Sequence, residues 1–171
     1  AIDMPVFGER ATVTESAAAK AKLWYGKTLF GQMLSEQRAA LDYLASRADV
    51  DANRIGMYGI SMGATLSYWL AAVEPRLKAI AHLCCYADFG VMVELGAHEG
   101  HGIYLSIPGL LTEASNGEIA GLVAPRAQLV CLGEDDSLTP PWAIDRAVPE
   151  TMAAYRRAGA EGRFEILREA G

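Results

Sequence analysis

Ser61 stands in Gly59-Ile60-Ser61-Met62-Gly63, directly after the apolar run Ile55-Gly56-Met57-Tyr58. The pattern is G-x-S-x-G at a strand-to-helix junction. A serine forced into so tight a turn projects its hydroxyl above the sheet edge, as a nucleophile requires. The turn asks for minimal side chains two positions before and two after, and Gly59 and Gly63 occupy them. The following helix aims free N–H groups and its positive end at the same point, which suits a developing oxyanion. The Met62 N–H is the candidate oxyanion donor.

A second chemical feature is the acidic turn Gly133-Glu134-Asp135-Asp136-Ser137-Leu138-Thr139-Pro140, which follows a core strand. A carboxylate at the C-terminal end of a neighbouring parallel strand reaches the crevice that holds the serine. Its task would be to orient a histidine and stabilise the imidazolium. The competing role is an acidic surface turn capping the next helix. The chain order serine, then acid, then histidine calls for a histidine after this turn. His82, His98 and His101 all precede it. His82 falls within an apolar strand. His98-Glu99-Gly100-His101 lacks the H-E-x-x-H spacing of a zinc helix, and Gly100 weakens a helix there. The base is therefore expected on a loop beyond Gly171, outside this chain.

These residues need a scaffold, and the chain can build one. Its 171 residues are 51% hydrophobic and 21% charged, enough for a single globular domain. The net charge of -6, without a basic run, argues against nucleic acid or an anionic membrane as partner. No apolar stretch reaches the ~18 residues of a membrane span. Cys84, Cys85 and Cys131 form no C-x-x-C pair, so free thiols in a reducing, cytoplasmic setting are expected and a metal site is not. Self-association into a homo-oligomer is left open.

Residues 1–6 read as the end of a strand, 7–22 as loop, and 33–48 as an amphipathic helix. Residues 54–58, 77–86, 128–132 and 163–167 read as strands, and 62–73 as a helix stopped by Glu74-Pro75. Residues 142–158 read as a helix in two pieces, divided at Pro149. Strands alternating with helices, with apolar strands on both faces, predict an α/β fold around a mostly parallel sheet flanked by helices. Residues 87–123 carry seven glycines and little periodicity, which suggests a cover over the site. Both ends fall in strand-like runs, so residues 1–171 are expected to form one partial domain.

Several stretches resemble the α/β-hydrolase superfamily, and within it the serine esterases similar to dienelactone hydrolase and acetyl xylan esterase. Besides the elbow they include Ser46-Arg47-Ala48-Asp49-Val50-Asp51, Arg54-Ile55-Gly56, Val73-Glu74-Pro75-Arg76-Leu77, His101-Gly102-Ile103-Tyr104, Ala124-Pro125-Arg126 and the Gly133 to Pro140 turn. The resemblance implies that Asp136, three residues after Gly133, is the acid, leaving Glu134 and Asp135 solvated. It implies a fold lacking the N-terminal strands, among them the one whose His-Gly loop gives the second oxyanion donor, and lacking the C-terminal histidine loop. It implies a small ester substrate, an acyl-enzyme on Ser61, and no metal or cofactor. The rivals are a peptidase of the prolyl-oligopeptidase kind and a non-catalytic remnant that binds a ligand through the old cleft.

Overall fold

A computed structural model describes residues 2–170. Four parallel strands, β1 (Met57–Ile60), β2 (Ala79–Leu83), β3 (Ala127–Gly133) and β4 (Phe164–Glu169), lie side by side in sequence order. Parallel neighbours need crossovers, and the helices supply them. Among the described residues these are α1 (Glu15–Trp24), α2 (Leu29–Ser46), α3 (Met62–Val73), α4 (Phe89–Glu94), α5 (Leu110–Glu113), α6 (Asn116–Gly121) and α7 (Pro141–Arg157). The α/β class expected from the sequence is the one observed.

Side chains alternate cleanly along the strands. Ile80, His82, Gln128, Val130, Leu132 and Phe164 are buried, against α2, α3, α6 and α7. The opposite face is unlike the expectation of two apolar, covered faces. There Tyr58 is 67% exposed, Ile60 58% and Leu167 49%, while Ala81, Leu129 and Cys131 are half-buried. Among the described residues the helices cover one face only, and β1 is an edge strand.

Several boundaries differ from the sequence reading, among them β2, which spans Ala79–Leu83 rather than 77–86, and α2, which spans Leu29–Ser46 rather than 33–48. Ala1 lies outside the described residues, and residues 2–6 form no strand. Met4 is buried with Phe30 and Met33 in a helical cluster, and a turn at Pro5-Val6 follows. Much of 7–22, expected as loop, lies in helix α1 (Glu15–Trp24), where the Thr14 hydroxyl accepts from the Ala17 N–H. The first strand begins at Met57 rather than Arg54, because residues 51–54 turn back on themselves. Helix α7 runs through Pro149 without a break. The ring lies on the exposed side, where the carbonyl freed by the missing N–H can meet water, while Ile144, Ala147, Thr151 and Tyr155 hold the buried side.

One guanidinium fastens the far side of the sheet. Arg126, just before β3, donates to the carbonyls of Ala71 (2.6 Å), Glu74 (3.0 Å) and Leu77 (3.0 Å), at and beyond the end of α3. Its Nε donates to the carbonyl of Val123 at 3.1 Å. These bonds satisfy carbonyls that a helix end leaves without partners.

Candidate active site

Ser61 joins β1 to α3 with φ 53° and ψ -119°, a backbone that costs a non-glycine residue roughly 1–3 kcal/mol. Its N–H donates to the carbonyl of Leu83 at 2.9 Å, so the turn remains tied to the end of β2. Gly59 is required on steric grounds. A Cβ there would lie 2.1 Å from the Gly63 oxygen and 2.6 Å from the Ser67 Oγ. The sequence expectation of a matching constraint at Gly63 is not met, for a Cβ at Gly63 would enter open space. The Ser61 side chain is exposed and makes no capping bond to its own helix. Among the described residues the N–H groups of Met62 and Gly63 have no acceptor, which leaves two donors at the positive end of α3.

Asp136 sits on the turn after β3, at the same C-terminal edge of the parallel sheet as Ser61. Its carboxylate accepts the Leu138 N–H at 2.9 Å, and its carbonyl accepts from Thr139. Asp135 is exposed. Glu134 is less free than expected, lying 3.6 Å from the Arg168 guanidinium.

Between serine and carboxylate lies a feature that sequence reasoning missed. The chain leaves β2 through Cys84 and Cys85, both left-handed, with φ of 62° and 51°. Their N–H groups donate to the Cys131 carbonyl (2.9 Å) and the Thr139 Oγ1 (3.1 Å). This double bend carries the Cys85 thiol to the Ser61 hydroxyl. Burial raises the Cys84 thiol pKa, and the negative charge of Asp136 raises it further. The Cys85 thiol is also raised, by burial above all. Both thiols are therefore protonated at neutral pH. Adjacent non-glycine residues at positive φ have no signature in composition, so no reading of the sequence would have found them.

The three histidines are placed elsewhere. His82 is buried, accepts the Gln128 amide N–H at 3.0 Å, and has its pKa pushed down to about 3 by burial. The His98 Nδ1 lies 3.4 Å from the Met92 carbonyl, and the His101 Nε2 lies 2.6 Å from the Leu138 carbonyl. Among the described residues no histidine bonds to Ser61 or to Asp136.

Residues 89–111 wall a cavity of about 390 Å³, with Phe89, Met92, Ile103, Leu105, Ile107 and Leu110 on its lining. The rest of the expected cover behaves differently. In α6, Asn116 is buried and donates to the Tyr68 hydroxyl (2.7 Å) and the Ala87 carbonyl (2.9 Å), and the helix packs between α3 and α7.

Comparison with known proteins places this geometry. Residues 26–139 match the family described as X-Pro dipeptidyl-peptidase (S15 family). The Bacillus subtilis (strain 168) protein YtaP, described by inference as a hydrolase, is 38% identical over 170 residues. That match takes in 99% of this chain and 57% of YtaP. Among solved structures, a protein assigned by inference as an acetyl xylan esterase, from Bacteroides fragilis, superposes with a TM-score of 0.83 at 17% identity. That alignment takes in 99% of this chain and 46% of the esterase. A glucuronoyl esterase from Solibacter usitatus superposes with a TM-score of 0.65 at 18% identity, over 84% of this chain and 45% of that one. The fold is thus of the α/β-hydrolase, esterase-like kind, and the chain spans about half the length of the proteins it matches.

Proposed function

Because this chain belongs to the X-Pro dipeptidyl-peptidase family (S15), we propose that it carries the nucleophile and acid of a serine hydrolase acting on carboxylic esters. The observation that carries the reading is the strained, exposed Ser61 at the head of α3, beside the unpaired N–H of Met62. In this reading the Ser61 Oγ attacks the ester carbonyl carbon while a base takes its proton. The carbonyl electron pair moves to oxygen, and the Met62 N–H receives the charge. Collapse expels the alcohol, which takes the proton back from the base, and leaves an acyl group on Ser61. Water then repeats the sequence and releases the acid.

Asp136 orients the base, a histidine outside these residues. His82 is buried and far too weak a base, while His98 and His101 are turned to backbone carbonyls. The resemblance to serine esterases implies that a His-Gly loop supplies the second oxyanion donor beside the Met62 N–H. Three free thiols suit a reducing, cytoplasmic setting.

A second reading, cleavage of an X-Pro dipeptide from a peptide N-terminus, is favoured by the family description itself. Such an enzyme must hold a free ammonium group. Glu99 is the one carboxylate on the neighbouring cavity wall, whose other side chains are mostly apolar. That balance favours the ester. Turnover of p-nitrophenyl acetate and of Ala-Pro-p-nitroanilide by the full-length protein decides between them, with fluorophosphonate labelling of Ser61 as a control. Ester turnover that falls ~10⁴–10⁶-fold in Ser61→Ala is expected. Peptide turnover alone would establish the second reading. Neither turnover nor labelling would leave a non-catalytic remnant that binds through its cleft.

A further inference from the structure

We infer that the cavity walled by residues 89–111 receives one apolar arm of the ester, a linear alkyl chain or a single aromatic group. The inference rests on the esterase reading above and adds the class of substrate. About 390 Å³ is the lower range of small-ligand pockets, ample for more than an acetyl group. Of the polar side chains on its wall, His98 is engaged with the Met92 carbonyl and His101 with the Leu138 carbonyl, which leaves Glu99 and Ser106. Most of the wall open to a ligand is the apolar surface of Phe89, Met92, Leu105, Ile107 and Leu110. Such a wall rewards area rather than hydrogen bonding.

The wall of the cavity is fastened to the reacting edge at two points. Ile103, Leu105 and Ile107 pack in one apolar cluster with Met62 and Leu66, on the first turns of the Ser61 helix. On the other side, His101 holds the carbonyl of Leu138, two residues past Asp136. Gly100 lies so close that a Cβ there would be 2.7 Å from the Leu138 Cδ2. The same segment is thus fastened to the helix of the nucleophile and to the turn of the acid. By this inference, an ester held at Ser61 sends one arm into the space behind that segment.

Each methylene that enters the cavity is expected to raise kcat/KM about threefold to fourfold until the space is full. Two ester series on the full-length protein distinguish the arm involved. One is p-nitrophenyl esters from acetate to decanoate, the other alkyl acetates from ethyl to decyl. A climb in the first series assigns the cavity to the acyl group, and a climb in the second assigns it to the alcohol. In Leu110→Trp or Ile107→Trp, which fill the space, the octanoate-to-acetate or octyl-to-ethyl ratio should drop tenfold or more. A separate binding arm follows displacement of anilinonaphthalene sulfonate by octanoate, and needs no catalysis. If no ester is turned over while octanoate binds saturably to the wild type and not to the tryptophan variants, the esterase reading fails and the pocket stands. Flat series, or in their absence no saturable octanoate binding, overturn the pocket. Should the variants not fold, the wild-type series and displacement curve still decide.

Discussion

The Cys85 Sγ stands 3.8 Å from the Ser61 Oγ. Two successive left-handed residues bring it there, and the strain they carry persists because Thr139, Cys131 and Tyr68 hold the bend by hydrogen bonds. The raised thiol is a neutral neighbour, not a competing nucleophile. Cys85→Ala is expected to lower kcat by at most about tenfold, the worth of one weak hydrogen bond that restrains the serine rotamer. Iodoacetamide at neutral pH should label Cys85 more slowly than a free thiol. Faster labelling would show a thiolate and sink this account.

Asp136→Asn tests the acid without disturbing its turn. The amide oxygen can still accept the Leu138 N–H, so the urea midpoint should hardly move. Activity should drop ~10⁴-fold, because an amide can neither fix the histidine tautomer nor offset its charge. A loss smaller than tenfold would remove Asp136 from the mechanism.

The two glycines of the elbow should respond in opposite ways. Gly59→Ala drives a methyl group into the Gly63 carbonyl and the Ser67 hydroxyl, and should cost about 2–3 kcal/mol in stability as well as activity. Gly63→Ala meets open space in the first turn of a helix, and should be neutral or stabilising by up to ~1 kcal/mol. Urea unfolding of both variants checks the contrast. Equal losses would mean that the elbow packs differently.

Acid should destabilise the protein in two stages. The His82 pKa lies below its ordinary 6.5, at about 3, and the Glu74 pKa lies below its ordinary 4.5, at about 2. Burial depresses His82. For Glu74 the main cause is the Arg76 guanidinium, at 2.6 and 2.8 Å. Both depressed groups contribute stability above their unfolded pKa and lose it as pH falls toward the folded value. Between pH 6.5 and 4.5 the unfolded state takes up the His82 proton first, and below 4.5 the Glu74 proton follows. Each contributes a slope of at most about 1.4 kcal/mol per pH unit. His82→Gln should flatten the upper stage in urea midpoints measured at several pH values. An unchanged slope would mean that another group titrates there.

The serine elbow was legible because its constraints are local. A serine between glycines, an apolar strand before it and Glu74-Pro75 closing the helix are all sequence facts, and α3 spans the expected residues 62–73. Helix α1 was missed for the opposite reason. Only Ala19 is buried in it, so it has almost no apolar period, and its alanine content was the signal to weigh. Pro149 misled because the sequence does not say which side of a helix faces water. The open sheet face was hidden as well. Apolar residues such as Leu129 and Leu167 alternate with the buried set and read as core until their surroundings are seen.

The Arg126 clamp gives the two chemical ends of the molecule a common pivot. Helix α3 runs from Ser61 to the carbonyls that Arg126 grips, and β3 runs from just beyond Arg126 to the turn that bears Asp136. Helix and strand are the two long sides of a frame, joined at one end by a guanidinium and at the other by the bonds from Ser61 to Leu83 and from Cys84 to Cys131. The gap between serine and acid is thus braced at both ends of the frame. Arg126, a full helix length from Ser61, is in that sense the far corner of the site: it touches nothing that reacts, yet it closes the frame on which both reacting groups are mounted.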